Sequence, residues 1–204
     1  MKEFWNDRYA AKGFAYGKEP NEFFRQELDK LEKGKILLPA DGEGRNSVYA
    51  ALHGWDVYAC DLSIKGKEKA GKLAHENGVH INYDLGDFGA LSYKDLFFDT
   101  IALIYAHFLT DKKADYNKLG DRYLKVGGTI IFEAFSKNQL KYNSVNPSAG
   151  GPRDIEMLYS IEEIGSYFPN YEIKVLEASE ITLNEGDYHI GKGSVVRFVG
   201  RKLH

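Results

Sequence analysis

The stretch "PADGEGRNSVYA" at Pro39–Ala50 follows a short apolar run, "ILL", and leads into a segment of helical spacing. Glycine accepts the backbone conformations a tight turn needs, so Gly42 and Gly44 can bring N–H groups close to a ligand at the start of that helix. The next apolar run ends in "CDLS", which places Asp61 about 20 residues beyond the turn. That is the spacing of an acid that accepts ribose hydroxyls. A glycine pair alone is common at turns. Joined to a preceding strand, a following helix and a spaced acid, it points to a ligand that carries ribose. Phosphate ligands fit worse. A pyrophosphate fingerprint needs a third glycine where this chain has Ser47, and no Gly-Lys-Ser/Thr follows the turn. A nucleoside without phosphates remains.

Such a turn works only if strands and helices alternate around it. Apolar runs of strand length occur at 36–40, 56–60, 79–83, 97–105 and 129–135, each rich in Ile, Val, Leu, Tyr or Phe, as strands buried on both faces are. Helical patterns lie between them at 45–53, 64–77 and 111–124, the first closing at Gly54 and the second at "NG". "SIEE" at 160–163 has capping-box spacing and opens another helix. The alternation predicts right-handed crossovers and a parallel sheet. Near the C-terminus, "YEIKVLEASEITL" and "GSVVRFVGRKL" alternate with period two. The short "NEGDYHIGK" between them leaves no room for a crossover, so they pair antiparallel. The expected fold is α/β, a Rossmann-like seven-stranded sheet, mostly parallel, with an antiparallel C-terminal hairpin strand and helices on both faces.

One domain is expected over 1–204, since no linker, repeat or low-complexity stretch divides the chain. Residues 1–34 read as an N-terminal helical cap, in which 21–35 forms an amphipathic helix with Phe24, Leu28 and Leu31 on one face. The Gly/Pro/Asn-containing stretch 136–158 reads as a lid loop.

Composition removes several classes. Lys and Arg number 27 against 30 Asp and Glu, for a net charge of −3, with no polybasic run, so a nucleic-acid partner is not expected. The single cysteine, Cys60, excludes an internal disulfide and a cysteine metal cluster, and the six histidines show no ligand spacing. The N-terminus is charged and lacks the apolar core of a secretory leader, and no apolar run approaches about 18 residues. A cytoplasmic protein with no membrane partner is expected; its oligomeric state is not written in these residues. The 14 Tyr and 12 Phe suit either a core or a pocket for a flat or cationic ligand.

Several stretches together carry a family likeness: "FWNDRY…FAYGKEPNEFF", "GEGRNSVYAALHGWDVYACDLS", "YDLGDF", "IALIYAHF", "LKVGGTIIFEAF" and "EGDYHIGKGSVVRFVGRKL". The chain resembles class I S-adenosylmethionine-dependent methyltransferases over nearly its whole length, and among them the tellurite-resistance-type and thiopurine-methyltransferase-like branch. The resemblance implies S-adenosylmethionine as cofactor and a small-molecule acceptor. It implies that Ala40, Asp41, Gly42 and Gly44 approach the methionine and ribose parts, that Asp61 binds the ribose hydroxyls, and that Leu62 packs on adenine. Asp84 and Leu85 would sit at the adenine edge, and Tyr105 near the methionine moiety and sulfonium. Two positions depart from the family pattern: Leu38 stands where an acid is usual, and Ala40 where the first glycine is. Without that acid the cofactor's ammonium needs another partner. Val126 replaces the proline of the usual "LKPGG".

Methyl transfer is a displacement at a carbon already activated by the sulfonium, so alignment and exclusion of water dominate. A base is needed only when the nucleophile arrives protonated. Candidates at the carboxyl face of the sheet are His107 after the fourth strand, Glu133 at the end of the fifth, and Tyr188 and His189 in the hairpin loop. Aromatic residues of the N-terminal segment, Tyr16 among them, would suit the sulfonium cation, and Arg8 the methionine carboxylate. Tyr142 and Arg153 of the lid would shape the acceptor pocket. The competing readings are a nicotinamide-dependent oxidoreductase and a nucleoside-binding module without catalysis.

Overall fold

The computed structural model describes all 204 residues. Strands β1 (Lys35–Pro39), β2 (Asp56–Asp61), β3 (Asn82–Leu85), β4 (Phe98–Ile104) and β5 (Leu124–Phe135) pair in parallel. β6 (Tyr171–Glu185) and β7 (His189–Lys202) close the sheet as a hairpin, and the order is β3-β2-β1-β4-β5-β7-β6. β7 runs antiparallel to both of its neighbours, which leaves β6 parallel to the first five strands. The hairpin tip therefore emerges at the carboxyl end of the sheet, beside the turns that follow β1 and β4.

Helices α1 (Lys2–Tyr9) and α2 (Glu22–Leu28) precede the sheet, and α3 (Arg45–Leu52), α4 (Ile64–Glu76) and α5 (Thr110–Tyr123) make the crossovers. Short α6 (Leu140–Asn143) and α7 (Ile161–Tyr167) follow β5. Ser63 caps α4 by accepting from the Gly66 N–H, and Ser160 caps α7 by accepting from Glu163, as the capping-box spacing anticipates. α2 is shorter than its apolar spacing suggests, stopping at Leu28.

Both faces of the central strands are covered, which is why their sequences read as unbroken apolar runs. Ile101, Leu103, Ile130 and Phe132 point into one layer with Tyr123, Phe168 and Phe198. Their chain neighbours Ala102, Ile104 and Ile131 point into the other, with Phe24, Leu28, Val57 and Leu73. A third, small cluster of Phe135, Ala149, Leu158, Leu183 and Val195 lies under residues 136–158. That stretch is not an irregular loop. It folds as α6 and three 3₁₀ turns and is tied down by Asn143, whose amide donates to the carbonyls of Gly150 and Pro152. Gln139 also donates to Ala149 and Gly150. No helix is long and apolar enough to cross a membrane.

Candidate functional site

Strand order reverses between β1 and β4, and a ligand crevice opens at such a point in an open α/β sheet. Here the residue that follows each strand is strained: Ala40 has φ +56° and Tyr105 φ +52°, both in the left-handed region that side chains avoid. Strain of about 1–3 kcal/mol at each of two adjacent strand ends marks the crevice as built for something. A cavity of about 1070 Å³ lies above it, lined by Ala40, Asp41, Asp61, Leu62, Tyr105 and Phe135 from the strand ends.

Two carboxylates define its floor. Asp61 is buried, Oδ1 accepting from the Ser63 N–H at 2.8 Å and Oδ2 from the Gly42 N–H at 3.1 Å. Burial raises its pKa to about 6, against those backbone donors. The Asp41 Oδ2 atom is buried with no partner at all. Burial pushes the Asp41 carboxyl up to about 7, a Ser47 hydrogen bond opposes this, and the nearby Asp61 charge adds to it. This carboxylate lies in the turn just after β1, three residues beyond Leu38.

The glycines do not face the cavity as expected. A Cβ on Gly42 (φ +60°) would lie 2.5 Å from the Tyr9 hydroxyl, and one on Gly44 (φ +85°) 2.6 Å from the Ala70 Cβ. Their missing side chains admit α1 and α4 to the turn, so the contact they permit is with the protein's own helices. Glu43 between them is buried, its carboxylate accepting from the Ala15 N–H and from Lys69, each at 2.7 Å.

α1 roofs the cavity. Tyr9 lies over the turn, Trp5 stacks on it with ring centroids 5.4 Å apart, and Asn6 accepts from the Ser63 hydroxyl at the start of α4. The Arg8 guanidinium sits 3.7 Å from the Tyr188 ring centroid and donates to the Tyr16 hydroxyl at 3.1 Å. Arg8, Tyr16 and Tyr188 thus meet at one wall, as their common lining of the cavity requires.

The third strand's acid is misassigned in sequence. Asp84 accepts from the Tyr93 hydroxyl and Leu85 is exposed, and neither lines the cavity. β3 starts at Asn82, three residues later than its apolar run suggests, so its carboxyl end shifts too. Gly86 and Asp87 line the cavity instead. Asp87 pairs with Lys112 at 2.5 Å and accepts from Tyr116. The "GDF" triplet directly after the strand was the available signal.

The four candidates for proton chemistry separate clearly. His107 lines the cavity, yet its Nδ1 donates to the Met157 carbonyl at 2.9 Å and its Nε2 accepts from the Phe135 N–H at 3.2 Å. Burial lowers its pKa to about 4. Both nitrogens are spent on backbone, so His107 fastens the lid to the end of β5. Glu133 lies behind the cavity rather than in it, buried between Asn21 at 2.7 Å and Arg197 at 2.6 Å. The reason is strand alternation: at Glu133 the side chain points to the α2 side of the sheet. Tyr188 is partly exposed under Arg8. His189 is buried and lines the cavity among Tyr16, Tyr105 and Phe135. On the lid, Arg153 lines the cavity and Tyr142 does not.

The chain is similar to known proteins in one stretch of sequence and in fold. Residues 39–132 match the family described as Methyltransferase domain. No curated protein matches the chain. Among solved structures, one concerns the conversion of a disulfide bond into a thioacetal group during echinomycin biosynthesis. It superposes with a TM-score of 0.79 at 17% identity, covering 100% of this chain and 92% of that one. TehB from Haemophilus influenzae gives 0.71 at 16%, covering 98% of this chain and 66% of that one. An S-adenosylmethionine-dependent methyltransferase from Clostridium acetobutylicum gives 0.64 at 16%, covering 99% and 97%. At these identities the likeness is one of fold.

Proposed function

We propose that the protein is an S-adenosylmethionine-dependent methyltransferase acting on a small molecule held between α1 and the lid. The observation that carries the reading is the buried Asp41 carboxylate oxygen left without a partner near Asp61, at the strained crevice between β1 and β4. The cofactor presents a cationic ammonium and a ribose. Asp41 suits the first, and Asp61 keeps lone pairs free for the second. When bound, S-adenosylmethionine supplies a methyl group on a positively charged sulfur.

The chain's own residues then have distinct work. Leu62 offers an apolar surface for the base, and Asp87 a carboxylate at its edge. Arg8, already stacked on Tyr188, offers a guanidinium to the cofactor's carboxylate. Trp5, Tyr9 and Tyr16 cover the crevice and exclude water, which strengthens every charge interaction inside. Phe108, Phe135 and Met157 wall the remaining volume, with Arg153 at its rim, so the acceptor is a compact, largely apolar molecule. TehB among the fold neighbours and the sequence stretches from "FWNDRY" to "GRKL" support a place in the tellurite-resistance-type and thiopurine-methyltransferase-like branch.

Titration calorimetry with S-adenosylmethionine, its demethylated product and NAD tests the cofactor. Both sulfur compounds should bind, and NAD should not compete; tighter binding of NAD would overturn the reading. Incubation with methyl-labelled cofactor and a panel of small thiols, phenols and oxyanions then identifies the acceptor.

A further inference from the structure

Resting on the methyltransferase reading, we infer that Glu185 and His189 form a proton-accepting dyad, with Glu185 as the positioning residue that turns the free lone pair of His189 toward the acceptor. The register of the hairpin creates the pair: Glu185 ends β6, His189 opens β7, and the two are cross-strand partners around the tip. Glu185 Oε2 accepts from His189 Nδ1 at 2.9 Å. A neutral imidazole carries one proton, so fixing it on Nδ1 leaves the lone pair on Nε2. His189 forms no other side-chain hydrogen bond, and the Cδ2–Nε2 edge of its ring faces the lid at Gly150, where a Cβ would come within 2.7 Å of Cδ2 and 3.2 Å of Nε2. A side chain at Gly150 (φ +71°) would press on this ring edge and, closer still, on the Tyr188 carbonyl, so glycine leaves the ring uncrowded from the lid. His107, with both nitrogens satisfied, shows what a purely structural histidine looks like in the same wall.

Glu185 is itself held as an anion. Burial opposes its charge, but His189 and Arg45 bring its pKa down to about 2. Arg45 Nη2 donates to it at 2.9 Å and Asn21 at 3.1 Å. The charged and titratable groups that face His189 are Glu185, Arg45, Arg8, Tyr16, Tyr105 and, across Phe135, His107. Burial, which leads, with Arg45 and Arg8, favours the neutral ring; Glu185 favours the charged one. The ring is thus unprotonated before reaction and finds a carboxylate once it takes a proton. In the step, the acceptor's X–H bond breaks, an Nε2–H bond forms, and the electron pair stays on X as the nucleophile. The imidazolium later returns the proton to solvent. A built base implies an acceptor that arrives protonated, a thiol, phenol or similar acid, rather than a permanently charged anion.

The test is side-chain nitrogen NMR of the full chain labelled at histidine, with His189→Gln to assign the resonance. At neutral pH the parent should show a protonated Nδ1 and a free Nε2 at His189. Glu185→Gln should lower the ring's proton affinity about tenfold or more, since a carboxylate contact shifts a titration by that order. A proton on Nε2 in the parent overturns the dyad without need of any Glu185 variant, and so does an unchanged proton affinity in Glu185→Gln. S-adenosylmethionine binding to the parent, measured alongside, separates this from the function itself. Failure to bind sinks the methyltransferase reading whatever the tautomer, and binding with the wrong tautomer sinks only the dyad.

Discussion

At Asp41 the sequence shows an acid in a turn, set near the cofactor only by family resemblance; the structure shows a carboxylate oxygen sealed from water without a donor. Its pKa near 7 in the folded chain lies above its ordinary 3.8, so the folded state holds the proton more tightly than the unfolded one. The stability this gives is complete below about pH 4 and is lost as pH rises through about 7, a few kcal/mol at most. Asp61, raised to about 6, adds a component of the same sign. Asp41→Asn should therefore melt at or above the parent at pH 8 and show a flatter dependence of Tm on pH. Cofactor affinity should move the other way. In the parent it should rise with pH up to about 7 as Asp41 ionises to meet the ammonium, and in Asp41→Asn it should be weaker and nearly flat, by calorimetry at several pH values. Asp61→Ala should weaken cofactor binding about tenfold or more through two lost charge-assisted bonds. Because Asp61 also accepts from the Gly42 and Ser63 amides, the variant should lose stability as well, and Asp61→Asn should recover part of it. That second cost was not legible: the spacing of Asp61 announces a ligand, while its burial depends on how β2 meets the turn.

The glycine turn was legible as an element, and its occupants were not. "GEG" between an apolar run and a helical pattern locates the crevice. That Tyr9 and Ala70 fill the space beside Gly42 and Gly44 requires knowing that α1 and α4 converge there. Gly44→Ala would place a Cβ 2.8 Å from the Ala70 Cα, backbone that cannot swing aside, at a φ of +85°. Overpacking of about 1–3 kcal/mol, with about 1–2 kcal/mol more for the left-handed conformation, should lower Tm by several degrees in thermal melts. The lid gives a parallel case. Its Gly, Pro and Asn content reads as loop, but two side-chain amides order it, Gln139 and above all Asn143, which bridges carbonyls seven to nine residues away. Asn143→Ala should leave the sheet intact and speed amide exchange over 144–157, read by hydrogen exchange; unchanged protection there would show that the third cluster alone holds the lid.

Across the whole molecule, the seven strands, their order of appearance and the closing hairpin were readable, because strands buried on both faces must be apolar and a short connection forces an antiparallel pair. The ends of β3 and α2 were not, since they are fixed by packing rather than by composition. The same logic separates the parts that hold the fold from the part that closes the site. None of the three apolar clusters includes a residue of α1. α1 instead touches α4, the glycine turn and the hairpin tip through Tyr9, Asn6 and Arg8. It is a roof attached at its edges, and local opening of such an element costs much less than global unfolding. Removing residues 1–9 should accordingly leave the cooperative melt in place, with Tm within a few degrees of the parent. The cofactor should bind about tenfold or more weaker, mainly through faster dissociation, as stopped-flow displacement would show. A truncated chain that loses its cooperative transition would instead make α1 part of the folding core, and one that holds the cofactor as long as the parent would deny it the role of roof.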